Sequence, residues 1–256
     1  MWVEYLEEDI MANSKSLVSF INKMSHFNGD LDFVDILAQL VENEHFSDEC
    51  ELFPGSSDEK YTTLSGYKKV KSNRRLVVNH LKSTVYTAYI KDLYEEFSIY
   101  LKGTMKEVYN NAKVSPERIC GEHTVKLTSV QILRHLQNGD LADIVIDSIF
   151  QVLENERSTI ELIKKFHKKI GIDIDESLVD SAIYYLEIRH KLVHTDGVVD
   201  EEFKEKHDTL MYTPSNKIKL SYNTIYAAYD AVFQLVSDID SKVIRAGLVN
   251  SNTQRR

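Results

Sequence analysis

The longest stretch of this chain without a helix breaker lies between Gly66 and Gly103, where neither Gly nor Pro occurs. Apolar residues recur there every three or four positions, which is typical of one face of a helix. The stripe consists of Val78, Leu81, Val85, Tyr89, Leu93, Phe97 and Tyr100. A helix of about 30 residues that is this apolar is expected at the centre of a bundle. With 9 Gly and 3 Pro in 256 residues, the chain favours an all-α fold.

The same pattern predicts further helices on both sides of this segment. They are expected at 2–24, 31–44, 129–137, 140–154, 158–169, 175–197, 200–207 and 222–246. Asn28-Gly29-Asp30 should break the first two, 48–66 reads as a loop, and 103–126 reads as irregular, with a helix start at Ser115-Pro116 and a break at Gly121. A turn is expected at 213–216 and a short extended piece at 217–220. We interpret the chain as one helical unit, with a lead-in at 1–66, a core at 67–248 and a disordered tail at 249–256.

Composition and charge restrict the class of function. The formal net charge of −9 weighs against broad, non-specific nucleic-acid binding, so an enzyme acting on nucleic acid would need local basic patches. Cys50 and Cys120 lie far apart with no metal-binding spacing, which indicates a reducing cytoplasm and no structural zinc. No signal peptide and no membrane span are expected, because the chain has no sufficiently long apolar run.

The predicted helix at 175–197 carries the candidate site. Asp175 or Ser177 can cap its start, and Gly197 offers the left-handed residue that commonly ends a helix. Its apolar stripe consists of Leu178, Val179, Ala182, Ile183, Leu186 and Val193. On a helical wheel, Arg189 falls on one flank of this stripe, and His190 and His194 fall on the other. A cation and two imidazoles are therefore expected beside a buried stripe, where a charged group needs a partner or an anionic ligand.

The sequence from Arg189 to His194 is Arg-His-Lys-Leu-Val-His, an Arg followed by a polar residue and then by a His five positions after the Arg. It ends an amphipathic helix and leads into Thr-Asp-Gly. A long aromatic helix containing Tyr94-Glu95-Glu96-Phe97 precedes it, and one amphipathic helix follows. In motif and helix order, residues 70–246 resemble the HEPN superfamily of helical proteins, many of which are RNases. Two other pairs share the spacing, Arg75 with His80 and Arg118 with His123, but an apolar residue follows the Arg in both.

The resemblance implies a HEPN-like helical bundle with additional N-terminal helices, and metal-independent RNA cleavage with no cofactor. The 2′-OH of the RNA is the nucleophile in such a reaction. An imidazole suits proton transfer near neutral pH, and a guanidinium suits the charge that develops on the phosphate. By resemblance, Arg189 and His194 take these roles, His190 orients the pair or the RNA, and Glu95 holds Arg189 in place. A cytoplasmic toxin or antiphage effector is implied, with RNA as substrate, a neutralising partner protein, and a homodimer whose two His194 residues face a shared cleft.

Other interpretations of these residues stay open. The basic residues Lys68, Lys69, Lys71, Arg74 and Arg75, together with Lys191, suit RNA phosphates, although a basic run is also typical of a solvated helix start. His190 and His194 have a metal-binding spacing, but no third ligand accompanies them at a diagnostic distance, so no metal is expected. Arg189 and Glu95 also suit a structural ion pair. HEPN domains that have lost catalysis bind partner proteins or nucleotides, which is the alternative function.

Overall fold

The computed structural model describes residues 13–42, 71–111, 113–155 and 158–250. These residues form an all-α protein, which confirms the predicted fold class. In the described part, the helices are α1 (Lys15–Glu42), α2 (Lys71–Asn110), α3 (Pro116–Cys120), α4 (Ser129–Asn138), α5 (Leu141–Glu154), α6 (Thr159–Ile170), α7 (Glu176–His194), α8 (Glu201–Lys206) and α9 (Tyr222–Arg245). Among them, no helix is both long and apolar enough to cross a bilayer.

The chain divides into two compact units. The first comprises Met1–Lys23, Leu93–Arg189 and Ala228–Arg256, and the second comprises Met24–Asp92 and His190–Ala227. Helix α7 therefore belongs to the first unit up to Arg189 and to the second from His190. The loop expected at 48–66, the boundary expected at residue 66 and residues 251–256 of the expected tail lie outside the described residues. Val249, the first residue of the tail expected at 249–256, is buried.

Helix α1 is continuous through Asn28-Gly29-Asp30, so the predicted break is wrong. Gly29 is exposed, and a Cβ placed on it would meet nothing within 4 Å. Met24, Leu31 and Val34, on either side of it, are buried. Their burial outweighs the cost of about 1 kcal/mol that one glycine imposes on a helix.

Helix α2 continues seven residues beyond Gly103, to Asn110, so the end expected there is wrong, and the segment expected to be irregular from 103 begins only after residue 110. A Cβ on Gly103 would lie 2.5 Å from Oγ of Ser16. The backbone N–H and the hydroxyl of Ser16 both donate to the Glu107 carboxylate, at 2.8 and 2.5 Å. The glycine therefore permits a close approach of two helices and does not end one.

Gly29→Ala and Gly103→Ala are expected to change the free energy of unfolding in opposite directions. Gly29→Ala should raise the free energy of unfolding by roughly 0.5–1 kcal/mol, because it improves helix propensity without a clash. Gly103→Ala should lower it, because the new methyl group displaces the Ser16 hydroxyl from Glu107. Urea titration followed by circular dichroism measures both. Equal stabilisation by the two substitutions would contradict the close approach at Gly103.

Several helix ends are confirmed and have local causes. The side chain of Ser115 caps α3, whose first residue is Pro116, and the side chain of Ser158 caps α6. Gly171 ends α6 in the left-handed conformation, with φ of 81°. The piece expected at 217–220 is β2 (Ile218–Lys219), which pairs antiparallel with β1 (Met211–Tyr212), a strand that the sequence did not predict.

The start of α1 is anchored to carboxylates of the first unit. Asp240 of α9, which is 1% exposed, accepts hydrogen bonds from the backbone N–H and the hydroxyl of Ser14. The Ser14 oxygen in turn accepts from the N–H of Leu17, 3.1 Å away. Burial raises the pKa of Asp240, and the charge of Glu107 adds to this, while the bonds from Ser14 oppose it. Ser14 thus caps α1, and Asp240 of α9 holds Ser14 in place.

The core of the first unit is aromatic and aliphatic. Phe20 and Tyr100 are buried and meet edge to face, with ring centroids 6.3 Å apart. The hydroxyl of Tyr100 donates to the carbonyl of Val236, 3.1 Å away. Phe97 and Met105 are also fully buried. The predicted stripe of α2 is confirmed as buried at most of its positions, but not at Leu81, which is 38% exposed.

In the second unit, Asp35 joins α1 to α2. Its carboxylate lies 2.9 Å from the Lys82 ammonium and accepts from Gln39 and Tyr86. Burial alone would raise the pKa of Asp35, but the bonds from Lys82, Gln39 and Tyr86 outweigh it, so the pKa is lowered. Tyr222 donates to Asp32, 2.7 Å away, and this bond raises the pKa of Tyr222 to about 12.

Candidate functional site

Helix α7 is held firmly at its start and in its middle. Asp175 accepts hydrogen bonds from the backbone N–H and the hydroxyl of Ser177, at 2.9 and 2.7 Å, so Asp175 is the cap. The same two bonds lower the pKa of Asp175. The buried residues of α7 are Ala182, Ile183, Leu186 and Ile188. The start expected for this helix is therefore confirmed.

The end of α7 is more exposed than its stripe predicts. Val193 is 42% exposed, so its expected burial is wrong, and Ile188, which was not predicted, is fully buried. Ile188 lies about 200° around the helix from Leu186, so the middle of α7 is covered on two sides. The last turn extends beyond this cover. Gly197 then closes the helix with φ of 75°, and its N–H donates to the carbonyl of Lys191, 3.0 Å away.

Arg189 is half-buried and stacks on an aromatic ring. Its Cζ lies 4.6 Å from the ring centroid of Tyr94 on α2. Glu95 is exposed, and the described residues contain no ion pair between Glu95 and Arg189, so the expected contact is wrong. On the wheel of α2, Tyr94 falls about 60° from the buried Phe97, whereas Glu95 falls about 160° away and faces solvent. The helical wheel of α2 therefore indicates that Tyr94, and not Glu95, borders the buried face of this helix.

The two histidines of the motif lie side by side at the end of α7. His190 and His194 are both exposed, and their ring centroids are 4.5 Å apart. The expectation that they border a buried stripe is therefore wrong, for the same reason as for Val193. Arg189 and His194 are five residues apart, which in a helix corresponds to about 140° around the axis and about 7.5 Å along it. The helix thus brings the two imidazoles together, but turns the guanidinium away from His194.

Two lysines near the histidines are engaged in ion pairs. The Lys191 ammonium lies 3.0 Å from Asp200 and 5.3 Å from the ring centroid of Phe203. The Lys217 ammonium pairs with Asp196, and this bond lowers the pKa of that carboxyl. Lys191, which the sequence suggested for RNA binding, therefore has a partner within its own unit.

The basic run before α2 is only partly described. Lys68 and Lys69 lie outside the described residues. Lys71 and Arg74 belong to the first turns of α2, with undescribed side chains, and Arg75 is exposed. The exposure of Arg75 suits either a phosphate-binding patch or a solvated helix start.

Of the two other Arg and His pairs, one has a structural role. The Nε of Arg118 donates to the carbonyl of Lys168, 3.0 Å away, and its guanidinium fills the space beside Gly171, where a Cβ would lie 2.5 Å from it. His123 shares a hydrogen bond with Ser148, at 3.0 Å. The second pair, Arg75 and His80, is exposed on α2. Arg118 and His123 thus each hold a neighbouring helix by a hydrogen bond.

No known protein family, curated protein or solved structure matches this chain. The resemblance to HEPN proteins therefore rests on the residues quoted for it and on the all-α architecture. Within the described ranges, no three His, Cys, Asp or Glu side chains are grouped as ligands for a metal ion. The chemistry available in the last turn of α7 is that of two exposed imidazoles.

Proposed function

We propose that the protein is a metal-independent endoribonuclease of the HEPN type, acting in the cytoplasm as a toxin or antiphage effector. The observation that carries this proposal is the exposure of His194 with His190 beside it, 4.5 Å between ring centroids. Exposed imidazoles can reach the backbone of a polymer as large as RNA. They also exchange protons readily near neutral pH.

Arg189 suits a role at the phosphate. The guanidinium lies over the ring of Tyr94, and this cation–π contact does not require a hydrogen bond from its N–H groups. In the described part of the chain, no carboxylate occupies those N–H groups. A side chain held by a ring, with donors still available, is pre-organised for the charge that develops on phosphate oxygens.

The reaction needs no added reagent. The 2′-oxygen forms a bond to phosphorus as the bond from phosphorus to the 5′-oxygen breaks. One imidazole accepts the proton of the 2′-OH, and the leaving 5′-oxygen takes a proton from water. The products carry a 2′,3′-cyclic phosphate and a 5′-OH. His194 is the residue proposed for proton transfer, with His190 positioning it or the RNA.

The divergence of Arg189 and His194 favours a site made from two copies. Because about 140° of helix separates them, one α7 does not direct both at a single phosphate, whereas a two-fold axis places the Arg of one copy near the His of its partner. The last helix, α9, has a tyrosine-rich face, with Tyr222, Tyr226 and Tyr229. This face does not suit the contact, because Tyr229 and its neighbours Ile225 and Val236 are buried. The half-buried pair Tyr184 and Tyr185 on α7 remains as the apolar contact.

Sedimentation velocity of the purified protein is therefore expected to show a dimer. Tyr184→Arg should give a monomer that cleaves RNA much more slowly, because a charge opposes an apolar contact across a two-fold axis. Val152→Arg, at another exposed apolar position, serves as the control and should leave the dimer intact. A stable monomer that cleaves RNA at full rate would contradict the shared site.

The second candidate is a non-catalytic HEPN module that binds a partner protein or a nucleotide. One observation favours it: Val130, Leu133 and Leu136 leave the apolar face of α4 mostly exposed, and α4 has no buried residue. Such a face is typical of a helix that docks a partner protein.

The deciding test is incubation of RNA with purified protein in EDTA, with the 3′ ends of the fragments analysed. Fragments ending in 2′,3′-cyclic phosphate support the endoribonuclease, provided that variants of the motif lose the activity. Intact RNA under all conditions, together with a stable complex with a partner protein, favours the binding module.

A further inference from the structure

We propose that His190 and His194 together bind one divalent transition-metal ion, and that the bound ion inhibits the site. The two residues are one helical turn apart, both are exposed, and their ring centroids are separated by 4.5 Å. Rotation about the side-chain bonds can bring one nitrogen of each ring to the distance of about 2.0–2.1 Å that imidazole takes from Zn²⁺.

The local charges allow a cation to approach. Lys191 and Lys217, which lie near the end of α7, are paired with Asp200 and Asp196, and the charge of Lys91 also acts on Asp196. Each pair is close to neutral, so these lysines oppose a divalent ion much less than unpaired ammonium groups would. The ion pairs thus favour metal binding at the end of α7, although neither carboxylate is assigned as a ligand.

The ligand type determines which ions bind. Imidazole suits Cu²⁺, Ni²⁺ and Zn²⁺, whereas Mg²⁺ and Ca²⁺ require oxygen ligands. Affinity is expected to be highest for Cu²⁺, lower for Ni²⁺ and Zn²⁺, and lowest for Mn²⁺. With two protein ligands, the remaining positions of the ion are filled by water or by an anion.

Inhibition is the expected consequence, and this part of the inference rests on the proposed function. An imidazole nitrogen that binds a metal has no lone pair left to accept a proton. Occupancy would therefore remove His194 from proton transfer and would also hold His190 in a fixed orientation. EDTA should then raise the rate of RNA cleavage by metal-loaded protein.

The direct test measures binding and not activity. Tag-free wild-type protein is titrated with Cu²⁺, Ni²⁺, Zn²⁺ and Mg²⁺ in a calorimeter, with the visible absorption of Cu²⁺ as a second readout. His190→Ala and His194→Ala should each weaken the tightest Cu²⁺ site at least about tenfold, because a single imidazole loses the gain from two linked ligands. His80→Ala is the matched control, since His80 is an exposed histidine on a helix with Thr84 one turn later, and it should bind as wild type does.

Equal Cu²⁺ affinity of wild type and His190→Ala, with circular dichroism showing both folded, would overturn the metal site. So would binding of Mg²⁺ as tight as that of Zn²⁺. These results are independent of the nuclease, because a protein that binds Cu²⁺ through the pair but leaves RNA intact would remove the proposed function and keep the site. A nuclease whose cleavage is unaffected by Zn²⁺ at saturating occupancy would remove the inhibition alone.

Discussion

His194→Ala protein is expected to cleave RNA about 10²–10⁴-fold more slowly than wild type, the range typical of losing a general acid or base. Arg189→Ala is expected to cost about 10²–10³-fold, because the developing charge on the phosphate loses its donors. His194 is exposed, and Arg189 is half-buried against Tyr94. The helix content of both variants should therefore remain that of wild type.

The measurement is the initial rate of cleavage of a labelled RNA in EDTA, with each variant purified in the same way. His80→Ala, an exposed histidine of the similarly spaced pair on α2, is the control and should retain the wild-type rate. If His194→Ala and wild type cleave equally fast, the activity belongs to a contaminant, and the nuclease assignment is wrong.

Asp240→Ala is expected to lower the free energy of unfolding by about 3 kcal/mol, which is roughly a 100-fold change in the equilibrium ratio of folded to unfolded protein. The substitution leaves the N–H and the hydroxyl of Ser14 buried without an acceptor, at the start of a helix of 28 residues. Chemical denaturation of both proteins measures the change. Asp238→Ala is the control on the same helix. It removes a partly exposed pair with Lys242 at 2.7 Å, so its effect should remain below about 1 kcal/mol.

The pH dependence provides a second check on Asp240. Burial raises its pKa above the value of 3.8 for an unperturbed group, so the folded protein holds this proton more tightly than the unfolded chain does. The stability of wild type relative to Asp240→Asn should therefore decrease as pH rises from about 4 through the folded pKa, and then level off. If the difference in stability between wild type and Asp240→Asn is constant over this pH range, the pKa of Asp240 is not raised in the folded protein.

Helix ends with local causes could be predicted from the sequence, and those that depend on distant residues could not. Ser115, Ser158 and Gly171 act through neighbours a few positions away, so their residue types suffice. Gly29 and Gly103 lie within helices, whereas Gly171 ends one, although all three are glycines. What keeps those helices continuous is packing, including an approach to Ser16, which lies 87 residues before Gly103.

The candidate site shows the same division. The spacing of Arg189, His190 and His194 on one helix follows from helical geometry, and so does the contact between the two rings. Which side chain of α2 meets Arg189 depends on how α2 and α7 pack, and resemblance alone pointed to Glu95 instead of Tyr94. The exposure of Val193 likewise depends on how far along α7 other parts of the chain pack against it.

The bond between Ser14 and Asp240 has a consequence for protein synthesis. The two residues are 226 positions apart, and the first unit is built from the beginning, the middle and the end of the chain. The two bonds from Ser14 to Asp240 therefore cannot form until α9 has left the ribosome, and contacts of such long separation form late. The first unit of a nascent chain therefore stays incomplete until its last helix, α9, has been synthesised.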